Sequence, residues 1–533
     1  PNPTMEQLVA TGYVRMNPTT AEGGVIPAEF QAKNNFDRTE TLGTVFLGMT
    51  MICARCHSHK YDPISQTEYY RLLAFFNNTA EKPLDGNKYD YAPVIKVPAD
   101  QSAWERWGAL KAKRIDLVNQ AEKLKSELYK KWEMGGREER FLALAKPDQR
   151  LEKLQKEATD IAKKIADAEA NFTTTLVAKE LGKPRETKLL ERGEYNLPTG
   201  KTLQPDVLSA MGSIPKGAPR NRLSLAKWLT DSKHPVVARV LVNRIWQRVF
   251  GAGLVRTPED FGLQGQQPTH PMLLDWLAVE MQSRNWDLKH MLRLMVTSKT
   301  FRQSSVLRDG TDDPENMLWS RGPRYRLDAE VLRDIALWAS NLLDPHMGGE
   351  GVKPYQPPNL WKELAHPASN TKQYKQDKGR MVFRRSLYVY WKRTSPHPMM
   401  TLFDAPSRES SCVRRSRTNT PLQSLGLLNE VQRVEMARML AERLLKERTT
   451  DNERLNLLFT LLTCREPSKT ERNACAKLLK TMRERYSDSE KEALSLLGTG
   501  EVPRDQSLNI TAHAAWTQMA ATALASDLAL MLF

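Results

Sequence analysis

The feature that most restricts the fold of this chain is an apolar repeat between residues 103 and 180. Its first half places apolar side chains in alternating steps of four and three, at Leu117, Ala121, Leu124 and Leu128. Its second half follows the break Gly135-Gly136 and the helix-start signal Pro147-Asp148. There the same steps recur at Leu151, Leu154, Ala158, Ile161, Ile165, Ala168 and Phe172. With Lys and Glu on the other faces, this spacing predicts an antiparallel, coiled-coil-like hairpin of two long helices. A solvated structural insertion is favoured over a spacer or partner-docking arm.

The remaining sequence predicts a mainly α, multi-domain helical protein. At 533 residues the chain exceeds one ordinary hydrophobic core. We expect an irregular region at 1–95, the hairpin at 96–182, a Pro- and Gly-rich linker at 183–220 and a large helical domain at 221–533. Helical spacing of apolar residues predicts helices over 39–56, 67–77, 223–229, 235–250, 271–283, 288–298, 328–343, 422–446, 452–464 and 509–533. A lone strand is expected at 385–391.

Charge and segment types narrow the possible partners. The formal net charge is +16, which favours polyanionic partners such as an anionic polysaccharide, or serves solubility alone. No zinc-finger spacing, RNP-like strand or basic zipper supports nucleic-acid binding, so we expect none. No stretch approaches the roughly 20 apolar residues of a transmembrane helix. The sequence has no signal peptide at its start, and we expect the natural precursor to be longer at its N-terminus.

The cysteines include one motif, Cys53-Ala54-Arg55-Cys56-His57, which has the C-x-x-C-H spacing of c-type haem attachment. Two thiols can bond the two vinyl groups of one porphyrin, and the histidine that follows can bind the iron as its proximal ligand. A thioredoxin-like C-x-x-C would need a preceding strand and a following helix, whereas a helical pattern precedes this motif and a turn follows it. A zinc site would need a second ligand pair, and the sequence has no second C-x-x-C. The motif therefore predicts one covalent haem c, and with it a location outside the cytoplasm.

Other ligands of the haem stay open. His59 lies too close to His57 to reach the opposite face of the same ring, and neither the 20 Met nor the 9 His identify a distal ligand. His59 can instead contact a haem propionate or occupy a polar turn with Asp62. By charge, Arg55 and Lys60 are candidate propionate partners.

A second polar cluster precedes the predicted helix at 422. Its candidate anion-binding residues are Arg408, Arg414, Arg415 and Arg417. Pro421 at a helix start makes Asn419 or Thr420 a natural N-cap, and arginines facing such a helix end can hold a sulfate, carboxylate or propionate. The favoured alternative is an internal network with Asp404, Glu409 and Asp328. Trp246 and Trp276 are expected in the core. No hydrolase, zinc-protease or nucleotide-binding motif occurs, so catalytic residues are unknown.

Longer segments resemble a known family. The stretches around the cysteine motif are 46–50, 53–64, 69–72 and 75–76. The downstream stretches are 221–223, 242–246, 253–262, 270–271, 274–277, 300–304, 326–330, 403–408 and 415–423. The first set resembles the C-terminal part of the planctomycete-type cytochrome c domain. The second is similar to the planctomycete-specific C-terminal domain of unknown function that accompanies it.

The resemblance implies a secreted haem protein of the periplasm or cell exterior, often encoded beside sulfatase-like proteins. It also implies that a further N-terminal part, in the same precursor or in another chain, completes the cytochrome domain. Our first hypothesis is an extracytoplasmic monohaem cytochrome that transfers electrons to a redox partner protein and docks through its helical domain. Alternatives are a haem-dependent oxidoreductase or peroxidase-like enzyme of sulfated polysaccharide metabolism, and an envelope scaffold with structural haem.

Overall fold

The computed structural model describes residues 3–18, 24–84, 91–138, 140, 148–310, 312–364 and 372–532. With 54% helix and 5% strand, it confirms the mainly α class. Contacts divide the chain into two compact units. The hairpin unit contains residues 1–16, 91–179 and 345–350, and the main unit contains 17–90, 180–344 and 351–533. Within the described ranges, no helix is long and apolar enough to cross a membrane.

The elements follow one another along the chain as numbered here. The helices are α1 (Met5–Ala10), α2 (Pro27–Leu42), α3 (Gln66–Asn77), α4 (Gln101–Met134), α5 (Gln149–Ala170), α6 (Arg222–Leu229), α7 (Val237–Phe250), α8 (Pro271–Ser283), α9 (Leu288–Val296), α10 (Ala329–Ala339), α11 (Leu360–Leu364), α12 (Pro398–Leu402), α13 (Pro421–Asn429), α14 (Val431–Glu447), α15 (Asp451–Thr463), α16 (Lys469–Asp488), α17 (Glu490–Leu497), α18 (Ile510–Leu524) and α19 (Asp527–Leu530). The strands are β1 (Val94–Val97), β2 (Thr173–Leu176), β3 (Leu189–Leu190), β4 (Pro198–Thr199), β5 (Tyr325–Arg326) and β6 (Met531–Leu532). They pair antiparallel as β1–β2, β3–β4 and β5–β6.

The hairpin unit is built on α4 and α5, which pack antiparallel as the apolar repeat predicts. Near the start of α4, Trp107 donates its indole N–H to Glu169 near the end of α5, at 3.0 Å. The same indole meets the Phe172 ring edge to face, with centroids 5.7 Å apart. Asp100 caps α4 by accepting from the Ala103 N–H at 2.7 Å. Of the start signal for α5, Asp148 is the N-cap, and Pro147 lies outside the described residues.

The main unit has two large apolar cores. One surrounds α14 and α18, where the Trp516 side chain is 0% exposed. The other lies between α7, α8 and α9, where Trp246 stacks on Phe250 with ring centroids 4.0 Å apart. Trp246 is thus a core residue as expected, whereas the prediction for Trp276 is wrong because half of its surface is exposed.

Four other element predictions are corrected. The stretch 509–533 is not one helix, because α18 ends at Leu524 and is followed by the short helix α19 and the strand β6. The stretch 39–56 is not one helix, because α2 ends at Leu42 and the chain continues through a π-turn and Gly48, which has a left-handed φ of 59°. The stretch 385–391 forms a short 3₁₀ turn with one bridge at Val389, not a strand. The expected helix 422–446 divides at Glu430, whose backbone is extended and whose carboxylate caps α14. The segment 183–220 contains β3 and β4 and packs on α3, where the Asp206 N–H donates to the Arg71 carbonyl at 3.2 Å.

Candidate functional site

The Cys53–His57 loop leaves α2 through a tight reversal. After the π-turn Gly43–Leu47, Met51 folds back so closely that a Cβ on Gly43 would lie 2.4 Å from its sulfur. The Met51 side chain is 1% exposed and anchors the loop in the core. The motif then begins in a 3₁₀ turn, Ile52–Arg55. Buried anchors on both sides of this turn fix where the motif side chains emerge.

Both motif cysteines are free thiols at the surface. Ala54 between them is fully buried, so the turn is held by its middle residue while its cysteines stay accessible. The Cys56 thiol donates to the Arg192 carbonyl at 3.2 Å. Arg192 and Gly193 have left-handed φ values of 50° and 76°. Such backbone costs energy at a residue with a side chain, so the surrounding contacts must hold this turn against Cys56.

His57 is exposed, and one of its ring nitrogens is already engaged. Nδ1 lies 2.7 Å from the Ser58 carbonyl oxygen. A carbonyl only accepts, so Nδ1 carries a proton, and in the neutral ring Nε2 keeps its lone pair. Metal-binding histidines have their tautomer fixed in this way by a carbonyl or carboxylate. The neutral His57 ring therefore has the tautomer that an axial iron ligand requires.

The Arg55 side chain is partly buried and forms an ion pair, so its charge is not freely exposed. Its guanidinium binds Glu40 at 2.5 and 3.1 Å and lies 4.3 Å from the centre of the Phe36 ring. Burial alone would lower the pKa of Arg55, but the Glu40 carboxylate outweighs it and raises that pKa. Glu40 also accepts from the Tyr69 hydroxyl at 2.9 Å, and the Arg55 carbonyl accepts from Tyr70 at 3.0 Å. Arg55 thus ties the loop to α2 and α3.

His59 occupies a polar turn with Asp62, one of its two expected positions. Its Nδ1 accepts from the Asp62 backbone N–H at 2.9 Å, so that nitrogen carries no proton. Nδ1 also lies 3.4 Å from Asp62 Oδ2. Because Nδ1 carries no proton, this contact is not an ion pair. The His59 side chain is 3% exposed. Lys60 is exposed, with its ammonium 5.1 Å from the centre of the Tyr61 ring.

The segment 253–263 supports the Cys53–His57 loop from about two hundred residues further along the chain. The Phe261 N–H donates to the Gly48 carbonyl at 2.6 Å, and the Leu263 N–H donates to Asp62 Oδ1 at 2.8 Å. Gly262 lies directly on that carboxylate, since a Cβ there would lie 2.4 Å from Oδ1. We call these contacts of residues 261–263 with Gly48 and Asp62 the interlock. This role of Asp62 is not predicted from the sequence, although the two glycines Gly48 and Gly262 are a usable signal for close backbone approach.

The donor types of the loop match those that hold a porphyrin. Among the described residues, no group of three or more His, Cys, Asp or Glu side chains is placed to hold a metal ion. Two accessible thiols and an unprotonated Nε2 fit two thioether bonds and one axial ligand. The loop also lacks the strand that precedes a thioredoxin-like motif, because residues 48–51 that lead into the described 3₁₀ turn have no regular structure.

The predicted anion cluster is divided among several contacts. Arg415 binds Glu330 at 2.6 and 3.2 Å, and Arg414 binds Glu259 at 3.0 Å. Arg408 lies over the Trp391 ring at 4.6 Å, whereas Arg417 lies over the Tyr325 ring at 4.4 Å.

The acids of the expected network are paired in the same region. Asp404 binds Arg326, Glu409 binds Arg393 at 2.7 Å, and Asp328 lies 3.5 Å from Arg415. Thr420 is the N-cap of α13 as expected. The internal arginine–carboxylate network thus accounts for Arg414 and Arg415. Arg417 instead lines a cleft beside Gly251 and Tyr325.

Comparison with known families finds two separate matches, and the interlock joins one to the other. Residues 221–479 match a family described as PSD1, protein of unknown function (DUF1553). Residues 1–81 match a family described as PSCyt2, protein of unknown function (DUF1549). Both are planctomycete-type domains associated with c-type cytochromes, and a cytochrome domain itself is not among the matches. No curated protein and no solved structure matches the chain. The Cys53–His57 loop lies in the first matched region, and its support, residues 253–263, lies in the second.

Proposed function

We propose that Cys53 and Cys56 attach one haem c, that His57 binds its iron through Nε2, and that the protein transfers electrons outside the cytoplasm. The observation that carries the proposal is the contact between His57 Nδ1 and the Ser58 carbonyl at 2.7 Å. In the neutral ring it leaves the Nε2 lone pair free at the surface, directly after two accessible thiols. When bound, such a haem supplies a one-electron iron couple.

The surroundings of the loop support electron exchange with another protein. Arg55 braces the loop to α2, and Asp62 braces it to residues 253–263. Exposed apolar side chains lie beside these braces: Ile52 is 58% exposed, Tyr61 46% and Leu263 78%. Apolar groups at the surface near a site mark contact with a cofactor face or a partner. We therefore propose a redox partner protein that docks on this side of the main unit, in the periplasm or outside the cell.

The first experiment is the visible spectrum of natively purified protein, oxidised, reduced and then exposed to carbon monoxide. We expect a Soret band that survives acid–acetone extraction and a sharp reduced α band that carbon monoxide does not change. A reduced spectrum that shifts with carbon monoxide would indicate an open iron and favour the haem-dependent oxidoreductase. Loss of all haem on extraction would refute covalent attachment and favour thiol redox chemistry.

A matched pair of variants separates attachment from general thiol effects. Cys56→Ser and Cys53→Ser should each lose one thioether bond. The double variant should retain no haem that resists acid–acetone extraction. The control is Cys412→Ser, because the Cys412 thiol is also exposed and donates to a carbonyl, that of Arg414, at 3.3 Å. It should leave the spectrum unchanged. A double variant that folds and binds its redox partner normally would show that the haem is dispensable for docking.

A further inference from the structure

A cleft of about 450 Å³ lies in the main unit, outside the Cys53–His57 loop. Its walls are the end of α7 with the residues after it, the loop 312–325 with Ser305 and Leu307, and one residue from the segment before α13. Four arginines line it, namely Arg256, Arg321, Arg324 and Arg417. Glu315 is the acidic residue of its lining. The formal charge around the cleft is therefore strongly positive.

Three of these arginines bind main-chain carbonyls. Arg256 donates to the carbonyls of Glu315 and Asn316 at 3.3 and 3.2 Å, and Arg417 donates to that of Gly251 at 3.3 Å. Arg321 donates to the carbonyls of Asp313 and Pro314 at 2.6 and 2.5 Å. In the part of the chain that the structure describes, none of the three has a carboxylate oxygen within the 4.0 Å of an ion pair. Carbonyls orient a guanidinium but leave its charge in place.

These charges are also partly removed from water. Burial lowers the pKa of Arg256 against the opposing charges of Glu315 and Asp313. Burial likewise lowers the pKa of Arg417, against the opposing charge of Asp328. Arg256 Nε and Trp319 Nε1 are buried donors without an acceptor among the described residues. Buried donors without an acceptor and partly desolvated cations are unfavourable unless a ligand or ion satisfies them. An oxyanion supplies both the acceptors and the negative charge.

The loop that presents these groups is held in an unusual backbone conformation. Asn316 and Trp319 both have a left-handed φ of 54°, which is rare for a bulky residue such as tryptophan. Asp313, which is 4% exposed, fixes the loop by accepting from the N–H groups of Met317 and Leu318 at 2.6 and 3.0 Å. Backbone strain that surrounding contacts hold in place is concentrated at ligand sites. The loop conformation that lines the cleft is thus held by Asp313.

We propose that this cleft binds a sulfate, phosphate or carboxylate group, free or carried by a small organic molecule. Planar guanidinium groups match the paired oxygens of such anions. The cleft volume lies within the roughly 300–1,000 Å³ of small-molecule sites, so there is room for a ring that carries the anion. The proposal does not depend on haem attachment.

Isothermal titration calorimetry on the full chain tests the proposal with three probes: sodium sulfate, glucose 6-sulfate and glucose. We expect saturable binding of a sulfate-bearing probe and none of glucose. Tighter binding of glucose 6-sulfate than of sulfate assigns the cleft to an organic anion, and equal binding assigns it to the free ion. Absence of binding by both sulfate-bearing probes, repeated with inorganic phosphate and glucuronate, would overturn the proposal.

Two variants locate the site. Arg417→Gln removes one charge-assisted contact and should weaken binding about tenfold. Leu307→Glu places a carboxylate at a lining position that is 63% exposed, where it should fold normally and prevent anion binding. The control is Arg284→Gln, a surface arginine paired with Glu280 and 60% exposed. Equal weakening in the control, or full binding by both cleft variants, would refute the assignment to this cleft.

Discussion

The Asp62 carboxylate should be the residue on which the interlock most depends. Its side chain is 2% exposed, and Oδ1 accepts from the Leu263 N–H at 2.8 Å. Asp62→Ala removes the acceptor and leaves the Leu263 amide without a partner. Residue 262, which lies against the carboxylate, is a glycine and has no side chain to fill the space that the carboxylate leaves. A lost hydrogen bond to a charged group and an orphaned donor together cost about 2 kcal/mol.

Amide hydrogen exchange measures this cost locally, which matters because unfolding of a chain with two units is not a single two-state transition. A decrease of about 2 kcal/mol in the opening free energy corresponds to roughly 30-fold faster exchange. We expect that acceleration in peptides that cover 48–64 and 253–265, and in both together. Asp62→Asn keeps an oxygen acceptor and should accelerate exchange only about fivefold.

The matched control is Asp275→Ala, which removes an acid from a surface pair with Arg239, 55% and 38% exposed respectively. Exposed pairs contribute about 0–1 kcal/mol, so exchange of the two peptides should stay within about twofold of the native rate. If Asp62→Ala accelerates exchange less than about threefold, or in only one of the two peptides, the interlock does not couple the loop to residues 253–263.

Three further changes have clear directions. Burial raises the pKa of Glu68, but hydrogen bonds from Ser209 and Ser65 outweigh it and bring the pKa to about 2. Since the unfolded value is about 4.3, this stabilisation is present above that pH and lost as the pH falls towards 2, and Glu68→Gln should flatten the urea midpoint over that range. Burial lowers the pKa of His234 to about 4. The contribution of neutral His234 to the free energy of unfolding is therefore present above about pH 6.5 and lost as the pH falls towards 4, and thermal midpoints of His234→Phe should lose that slope. Trp516→Ala in a fully buried position should cost about 3–5 kcal/mol in urea unfolding, whereas Trp276→Ala at 51% exposure should cost less than about 1 kcal/mol; similar values for both would contradict the assigned cores.

Local sequence patterns determined most of the helices. The 3–4 repeat identified the hairpin of α4 and α5, and the apolar face Tyr70, Leu73, Phe76 identified α3, whose capping box of Ser65 and Glu68 marks its start. The highly polar helix α16 was missed, because its apolar face is thin. Its own capping box, Ser468 with Glu471, was the available signal.

The sequence by itself determined one feature that bears on function, the spacing of Cys53, Cys56 and His57. These residues lie within five positions of one another, so their spacing does not depend on the rest of the fold. Only the tertiary structure decided which charges remain available. In the folded protein Arg55 pairs with Glu40, and Arg415 pairs with Glu330. Arg417 instead donates to a main-chain carbonyl and lines the cleft. With 79 basic and 63 acidic residues, local sequence does not specify which of them pair. Partners far apart in the chain meet only when helices pack, so the interlock and the cleft are properties of the folded protein.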